Sequence, residues 1–253
     1  VARGGGVTSV VLARPDADSE RLSRSLRAQG VDSLVMPIMT IANITASEQP
    51  AVAAVSDKTL FIFTSANAVR FGLPRLRAEL DRHHGATTIA VGSKTRDALQ
   101  AEGFHALMPA RSDSEGLLAM PELSGALLPD VVIVKGEGGR ELLGQELKRR
   151  GARVIEWCCY RRCWPDVDLS VLRDVDSSFV FQASSGEMVS RLSELLTGEK
   201  HEDLFQSPVI VPSERVAALA TALGWGRVIR AEDAGDRAFT VALKQLSGVG
   251  VDT

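Results

Sequence analysis

The sequence predicts an α/β protein of two similar lobes, each a parallel sheet with flanking helices. Three observations lead there. Short Val/Ile/Phe-rich runs recur along the chain without polar alternation, a turn of small polar residues follows each, and each turn opens a helix-like apolar period. Unalternated runs suit strands buried on both faces, the setting of a parallel sheet covered by helices.

Taken in order, VVLA (10–13) precedes a polar turn and a helical pattern marked by Leu22 and Leu26. The same grammar returns at LFIF (60–63), TIAV (88–91), VVIV (131–134), FVF (179–181) and PVIV (208–211). Three units recur at nearly one spacing. VVLARPDADSERLSRSLRAQG aligns with VVIVKGEGGRELLGQELKRRG, Gly30 falling on Gly151, 121 residues on. LFIFTSANAV aligns with FVFQASSGEMV, and TIAVGSKTRDAL with PVIVPSERVAAL, both 120 residues on. A period of that length exceeds any solenoid repeat and points to duplication at the scale of a domain. Two apolar, β-prone segments stand outside the units: LVMPIMTIANI (34–44) and VIEWCCYRRCW (154–164), punctuated by Pro37 and Pro165. Each sits where a chain crossing between lobes belongs. Gly4 to Gly6 read as a floppy leader and the stretch from Gly248 as a frayed end.

Composition narrows the function. The 253 residues are 45% hydrophobic and 24% charged, ordinary for a globular protein. Lys plus Arg number 29 against 32 Asp plus Glu, a net charge of −3, so no nucleic-acid partner is expected. No apolar run reaches the ~18 residues of a membrane helix, and the opening residues lack a signal-like apolar stretch, so a cytoplasmic protein with no membrane partner is expected. Cys158, Cys159 and Cys163 cluster, but His83, His84, His105 and His201 lie at no ligand-like spacing from them. Reduced, buried thiols are therefore expected, with no metal and no cofactor.

The strand-to-helix turns carry the chemistry. Thr64-Ser65-Ala66-Asn67, Gly92-Ser93-Lys94-Thr95, Lys135-Gly136 through Arg140, Ser184-Ser185-Gly186 and Pro212-Ser213-Glu214-Arg215 each follow a strand. Small hydroxyl residues and Gly there leave the first helical N–H groups open, and those groups with the helix dipole favour anions. In parallel sheets such turns lie at the carboxyl ends of strands, where ligands bind. Plain N-capping accounts for any single turn, but five together suit one cleft. The Gly136–Arg140 loop is neither a Walker A loop nor a Rossmann fingerprint. No Gly-x-Ser-x-Gly elbow is present, and Asp16-Ala17-Asp18 sits in a turn where acids serve as ordinary dipole partners. Tyr160, the chain's one tyrosine, reads on residue type alone as a half-buried aromatic with its hydroxyl tied to backbone.

LARPDADSERL, FTSANAV, AVGSKTRDAL followed by Gly103, DSEGLLAMPEL, KGEGGRELLGQELKRRGARV leading into CCYRR, and PSERVAALATALG stand in an order and spacing that resembles the bacterial uroporphyrinogen-III synthase family, from Val10 to about Leu246. The resemblance implies two α/β lobes with a cleft between them, joined by a two-stranded linker made of residues 34–44 and 154–164. It also implies interleaving: residues 1–36 with 165–253 form one lobe, and 40–160 the other. The implied reaction cyclises the linear tetrapyrrole hydroxymethylbilane to uroporphyrinogen III, inverting the last pyrrole ring through a spiro intermediate, with no cofactor or metal. A monomer is expected, and its small-molecule substrate carries eight carboxylates. A slightly acidic protein must grip such a guest locally, through N–H groups at helix starts and a few cations.

By carry-over, Ser65, Ser93 or Thr95, Ser185 and the Pro212–Arg215 turn, with Ser213 and Arg215, match the family's carboxylate-binding positions; Thr64, Asn67, Gly136 and Ser184 belong to the same turns. Arg14, Lys135 and Arg140 join the set because their charge lies at such turns. Many members have a Gly- and Thr-rich turn where this chain has Pro212-Ser213-Glu214-Arg215, and Glu214 repels a carboxylate unless turned away. Tyr160 matches the family's Tyr, proposed as the acid that assists departure of the substrate hydroxyl, a role a phenol fills at neutral pH without tuning. The competing reading is a two-lobed binding protein for a small anionic metabolite, without catalysis.

Overall fold

The structure, a computed structural model, describes residues 9–49, 55–83, 85–125, 128–139, 141–172 and 179–246. Along the chain β1 (Ser9–Leu12), α1 (Asp16–Arg27), β2 (Ser33–Val35) and β3 (Thr40–Asn43) come first. Then follow β4 (Leu60–Phe63), α2 (Ala66–Arg82), β5 (Thr87–Ala90), α3 (Ser93–Ala101), β6 (Ala106–Leu107), α4 (Ser114–Leu118), β7 (Val131–Gly136), α5 (Leu142–Arg149) and β8 (Val154–Cys163). The series closes with β9 (Phe179–Gln182), α6 (Gly186–Gly198), β10 (Pro208–Val211), α7 (Glu214–Ala222), β11 (Arg227–Arg230) and α8 (Asp236–Leu246). The α/β class expected from the sequence is the class observed.

The chain divides into two compact units: residues up to Thr40 with those from Cys163 onward, and Ile41–Arg162. In the first unit the strands lie in the order β11-β10-β9-β1-β2, in the second β3-β8-β7-β4-β5-β6. Every pair with a defined register is parallel, from Val10 opposite Val180 in the first sheet to Phe63 opposite Val134 in the second. Numbered by role, both sheets have the order 2-1-3-4-5, with β3 added at one edge of the second. The second unit simply enters that order at a different strand: its strands 3, 4 and 5 (β4, β5, β6) precede its strands 1 and 2 (β7, β8). The internal duplication is thus real at the level of topology, and Gly30 and Gly151, matched in sequence, close α1 and α5 alike with φ of 74° and 92°. A left-handed φ there is cheap only for glycine.

Each sheet is covered on both faces. In the second unit α2 and α3 pack on one side with Phe61, Phe63, Val132 and Trp157, whereas α4 and α5 pack on the other with Ile62, Ile89 and Ile133. In the first unit α6 and α7 bury one face and α1 and α8 the other. Phe61 and Phe63 are fully buried, and each contributes roughly 1.5–3 kcal/mol relative to exposure. Helix α2 comes close because Gly72 faces the sheet: a Cβ there would stand 2.6 Å from Val134 Cγ1. The 34–44 segment supplies most of β2 and all of β3, and 154–164 forms β8. β3 and β8 are neighbours in the second sheet, and Ile44 N donates to Cys159 O at 3.2 Å.

Candidate functional site

A doubly wound sheet leaves a crevice where successive connections leave to opposite faces, beyond the carboxyl ends of the two strands concerned. In the second unit those strands are β4 and β7, since the chain leaves β4 for α2 and β7 for α5, helices on opposite faces. A cavity of about 470 Å³ opens there, lined by Thr64 and Ser65 after β4, Lys135 and Gly136 at the end of β7, and Glu156 and Tyr160 on β8. Its size falls in the range of small-molecule sites.

Tyr160 reaches this cavity through an irregularity in β8. Lys135 pairs with Cys158 but Gly136 pairs with Tyr160, so Cys159 is an extra residue and the ladder bulges. Strand alternation alone would send Cys159 and Tyr160 to opposite faces; the bulge turns both toward α2, where both join one core cluster. The ring then lies on the β7 backbone, because a Cβ on Gly136 would stand 2.5 Å from Tyr160 Cζ. Phe71 of α2 flanks it with ring centres 6.0 Å apart. Tyr160 Oη lies 3.1 Å from Ser65 Oγ, which also caps α2 by accepting from Ala68 N at 3.0 Å.

The cavity's charge is balanced inside itself. Lys135 Nζ meets Glu156 Oε2 at 3.1 Å, and Lys148 Nζ holds the other oxygen at 3.1 Å. Burial pushes the Glu156 carboxyl up, but hydrogen bonds from Lys148 and Lys135 outweigh this and hold it below the usual carboxylate range. Gly144 of α5 makes room for it, since a Cβ there would stand 2.6 Å from Glu156 Oε1. Burial pushes the neighbouring Cys159 thiol up to about 12, which makes it inert. Among the described residues no His/Cys/Asp/Glu group is arranged to hold a metal ion, and no helix is long and apolar enough to cross a membrane.

The expected site residues divide. Thr64, Ser65, Lys135, Gly136 and Tyr160 come together around the cavity. Thr64 Oγ1 donates to Val134 O at 3.2 Å, and Asn67 lies partly buried as the second residue of α2. Ser93 is exposed at the start of α3, which Gly92 caps, whereas Thr95 is buried and not presented to a ligand. In the first unit Ser185 and Ser213 cap α6 and α7 by accepting from Met188 N and Val216 N, and Ser184 Oγ contacts Met188 Sδ at 3.2 Å. Arg215 is exposed, and Glu214 turns toward Arg230, 3.9 Å away. Arg140 lies outside the described residues.

Arg14 requires a correction. Its side chain is only 6% exposed and is engaged inside the first unit, in an ion pair with Asp236 and a 3.3 Å hydrogen bond to Ala234 O. The pocket beside it, lined also by Gln182 and Ala183 at the end of β9, Ile210 and Val211 of β10 and Phe239 of α8, holds only about 10 Å³ of free space. A guanidinium already holding a carboxylate under cover is not offered to a substrate. Glu156, by contrast, lines the second unit's cavity and was missed in sequence, since β8 looked like a plain apolar segment.

The family model described as uroporphyrinogen-III synthase HemD matches residues 20–240. The chain belongs to the uroporphyrinogen-III synthase family. It is 32% identical over 247 residues to the uroporphyrinogen-III synthase of Salmonella typhimurium, covering 93% of this chain and 100% of that one. The uroporphyrinogen-III synthase of Escherichia coli is 31% identical over 246 residues, with the same coverage. In fold the chain is similar to uroporphyrinogen-III synthetase from Helicobacter pylori, with a TM-score of 0.59 at 16% identity, covering 94% of this chain and 100% of that one. A mutant uroporphyrinogen III synthase from Thermus thermophilus gives a TM-score of 0.57 at 19% identity with the same coverage.

Proposed function

We propose that the chain is a cyclising lyase that converts hydroxymethylbilane to uroporphyrinogen III in tetrapyrrole biosynthesis. Its membership of the synthase family and its end-to-end likeness to two named synthases support this over binding without chemistry. The observation that carries the site is the Tyr160 hydroxyl, held at 3.1 Å from Ser65 on the wall of the second unit's crevice.

On this reading Tyr160 delivers its proton to the departing hydroxyl, which leaves as water and exposes an electrophilic azafulvene. That species closes readily unaided, so the protein's task is geometric: it directs attack through the substituted carbon of the last ring to a spiro intermediate. The spiro intermediate opens by breaking that carbon's bond to its original methylene bridge, the freed methylene recloses on the last ring's unsubstituted α-carbon, and loss of that carbon's proton restores the pyrrole and balances the proton delivered. Lys135, poised on Glu156, and the helix starts at Ser93, Ser185 and Ser213 take substrate carboxylates. A monomer in the cytoplasm completes the reading; the three free cysteines suit a reducing compartment.

The test is to supply hydroxymethylbilane, oxidise the product and separate isomers I and III. Isomer III well above the uncatalysed mixture is expected, and isomer I alone would remove the assignment. Tight tetrapyrrole binding without isomer III would favour a binding protein.

A further inference from the structure

We infer that Ser65 is a positioning residue for Tyr160 and not a substrate ligand: it donates its hydroxyl proton to Tyr160 Oη and leaves the phenol's own proton aimed into the cavity. This rests on the reading of Tyr160 as the acid and names what aims it.

The structure gives Ser65 Oγ two contacts. Ala68 N donates to it at 3.0 Å, and Tyr160 Oη stands 3.1 Å away. A backbone N–H cannot accept, so Tyr160 Oη is the acceptor within reach for the one hydrogen Ser65 owns. Ser65 cannot easily turn aside, because it sits at φ −163° and ψ 164° as the cap of α2. Nor can the ring, which rests on Gly136 and is flanked by Phe71. With the oxygen fixed and one lone pair taken, the phenolic hydrogen is left to point toward the cavity that Tyr160 lines. Among the described residues the charged groups lining that cavity are Lys135, Glu156, Asp113 and Arg162. Ser185, the matching cap 120 residues on, makes the same kind of bond to Met188 N at 3.3 Å but serves a unit with no tyrosine, which makes it a control.

Tyr160 is the chain's only tyrosine, so the intensity ratio of the tyrosine ring doublet in ultraviolet resonance Raman spectra reports its hydroxyl alone. The ratio rises when the phenol oxygen accepts a hydrogen bond and falls when the phenol only donates one. Ser65→Ala therefore lowers it, and Ser65→Gly, which keeps most of the capping stability, gives the same drop in a folded protein. Ser65→Thr restores the parent ratio, and Ser185→Ala leaves it unmoved. In isomer III assays Ser65→Gly lowers kcat with KM changed by less than about twofold, and Ser65→Thr recovers it. A ratio that rises makes Tyr160 the donor, and an unmoved ratio with raised KM makes Ser65 a substrate ligand; either overturns the inference. Failure of the acid reading shows separately, as Tyr160→Phe turning over at the parent rate while Ser65→Ala still lowers the ratio.

Discussion

Gly136→Ala puts one methyl group where the Tyr160 ring now rests. The added Cβ would stand 2.5 Å from both Cε2 and Cζ and 2.9 Å from Oη. Gly136 is not among the glycines with positive φ, so the backbone tolerates a side chain and the whole cost arises from the ring. Ordinary carbon contacts need about 3.5 Å, so the ring must retreat by about 1 Å. Such overpacking costs about 1–3 kcal/mol. Retreat also stretches the 3.1 Å bond to Ser65 beyond hydrogen-bonding range, worth about 1 kcal/mol. The expected loss is about 2–4 kcal/mol in urea unfolding, read as a lower midpoint at unchanged slope. Isomer III turnover falls by up to about tenfold, the limit set by losing the hydroxyl altogether, because the retreating ring withdraws only its proton. The decisive measurement is a cycle with Tyr160→Ala: with the ring removed, Gly136→Ala costs less than about 0.5 kcal/mol. If the full penalty survives in that background, the methyl group clashes with something else and the account of how Tyr160 is seated is wrong.

Tyr160→Phe keeps the ring and its packing, so turnover drops about tenfold while isomer III remains the product; departure of the leaving group is intrinsically easy and positioning persists. Lys135→Met withdraws a charge-assisted contact worth about 1.5–3 kcal/mol and raises KM for hydroxymethylbilane by about tenfold or more, checked by steady-state kinetics. Burial pushes the Asp236 carboxyl up, but hydrogen bonds from Arg21 and Arg14 outweigh it and hold the group below its ordinary range. A depressed carboxylate stabilises the fold above its unfolded value near pH 4 and ceases to as pH falls through the folded one. Asp236→Asn therefore costs about 2 kcal/mol at pH 7, less than a fully enclosed pair because Asp236 keeps 30% exposure, and the deficit disappears in urea melts at acid pH. Cys159, with its thiol pushed up to about 12, stays unalkylated by iodoacetamide at pH 8 in the native protein, which peptide mass spectrometry reads directly.

Much of the fold was written in local pattern. Strands β1, β4, β5, β7, β9 and β10 are buried on both faces, and that environment leaves an unbroken apolar run in the sequence. Two of the outermost strands left no such trace. β11, Arg227–Arg230, is exposed at both ends, and β6 is two residues long. Turn residues were legible as helix caps, which is what Ser65, Ser185 and Ser213 are. What they serve was not, because a cap and an anion site use the same residue types. The charges failed for a different reason. Arg14 meets Asp236 across 222 positions and Lys135 meets Glu156 across 21, pairings that depend on sheet order and leave no periodic signal. The bulge at Cys159 was equally silent: it is a register event between strands, and it decides which way Tyr160 points.

The interleaved order of the strands constrains how the molecule is made. Everything in the second unit has been polymerised once Arg162 is added and emerges while β9 to α8 are still being made, so that unit can acquire its structure while synthesis continues. The first unit cannot. Its central strand, β1, waits for β9, and Val11 meets Phe181 only after 170 further residues have been polymerised. Until then Val10, Val11 and Leu12 form an unpaired apolar edge on the nascent chain, the kind of surface that holdase chaperones cover. Premature termination shortly after Arg162 would therefore release one finished half tethered to a sticky, orphaned strand.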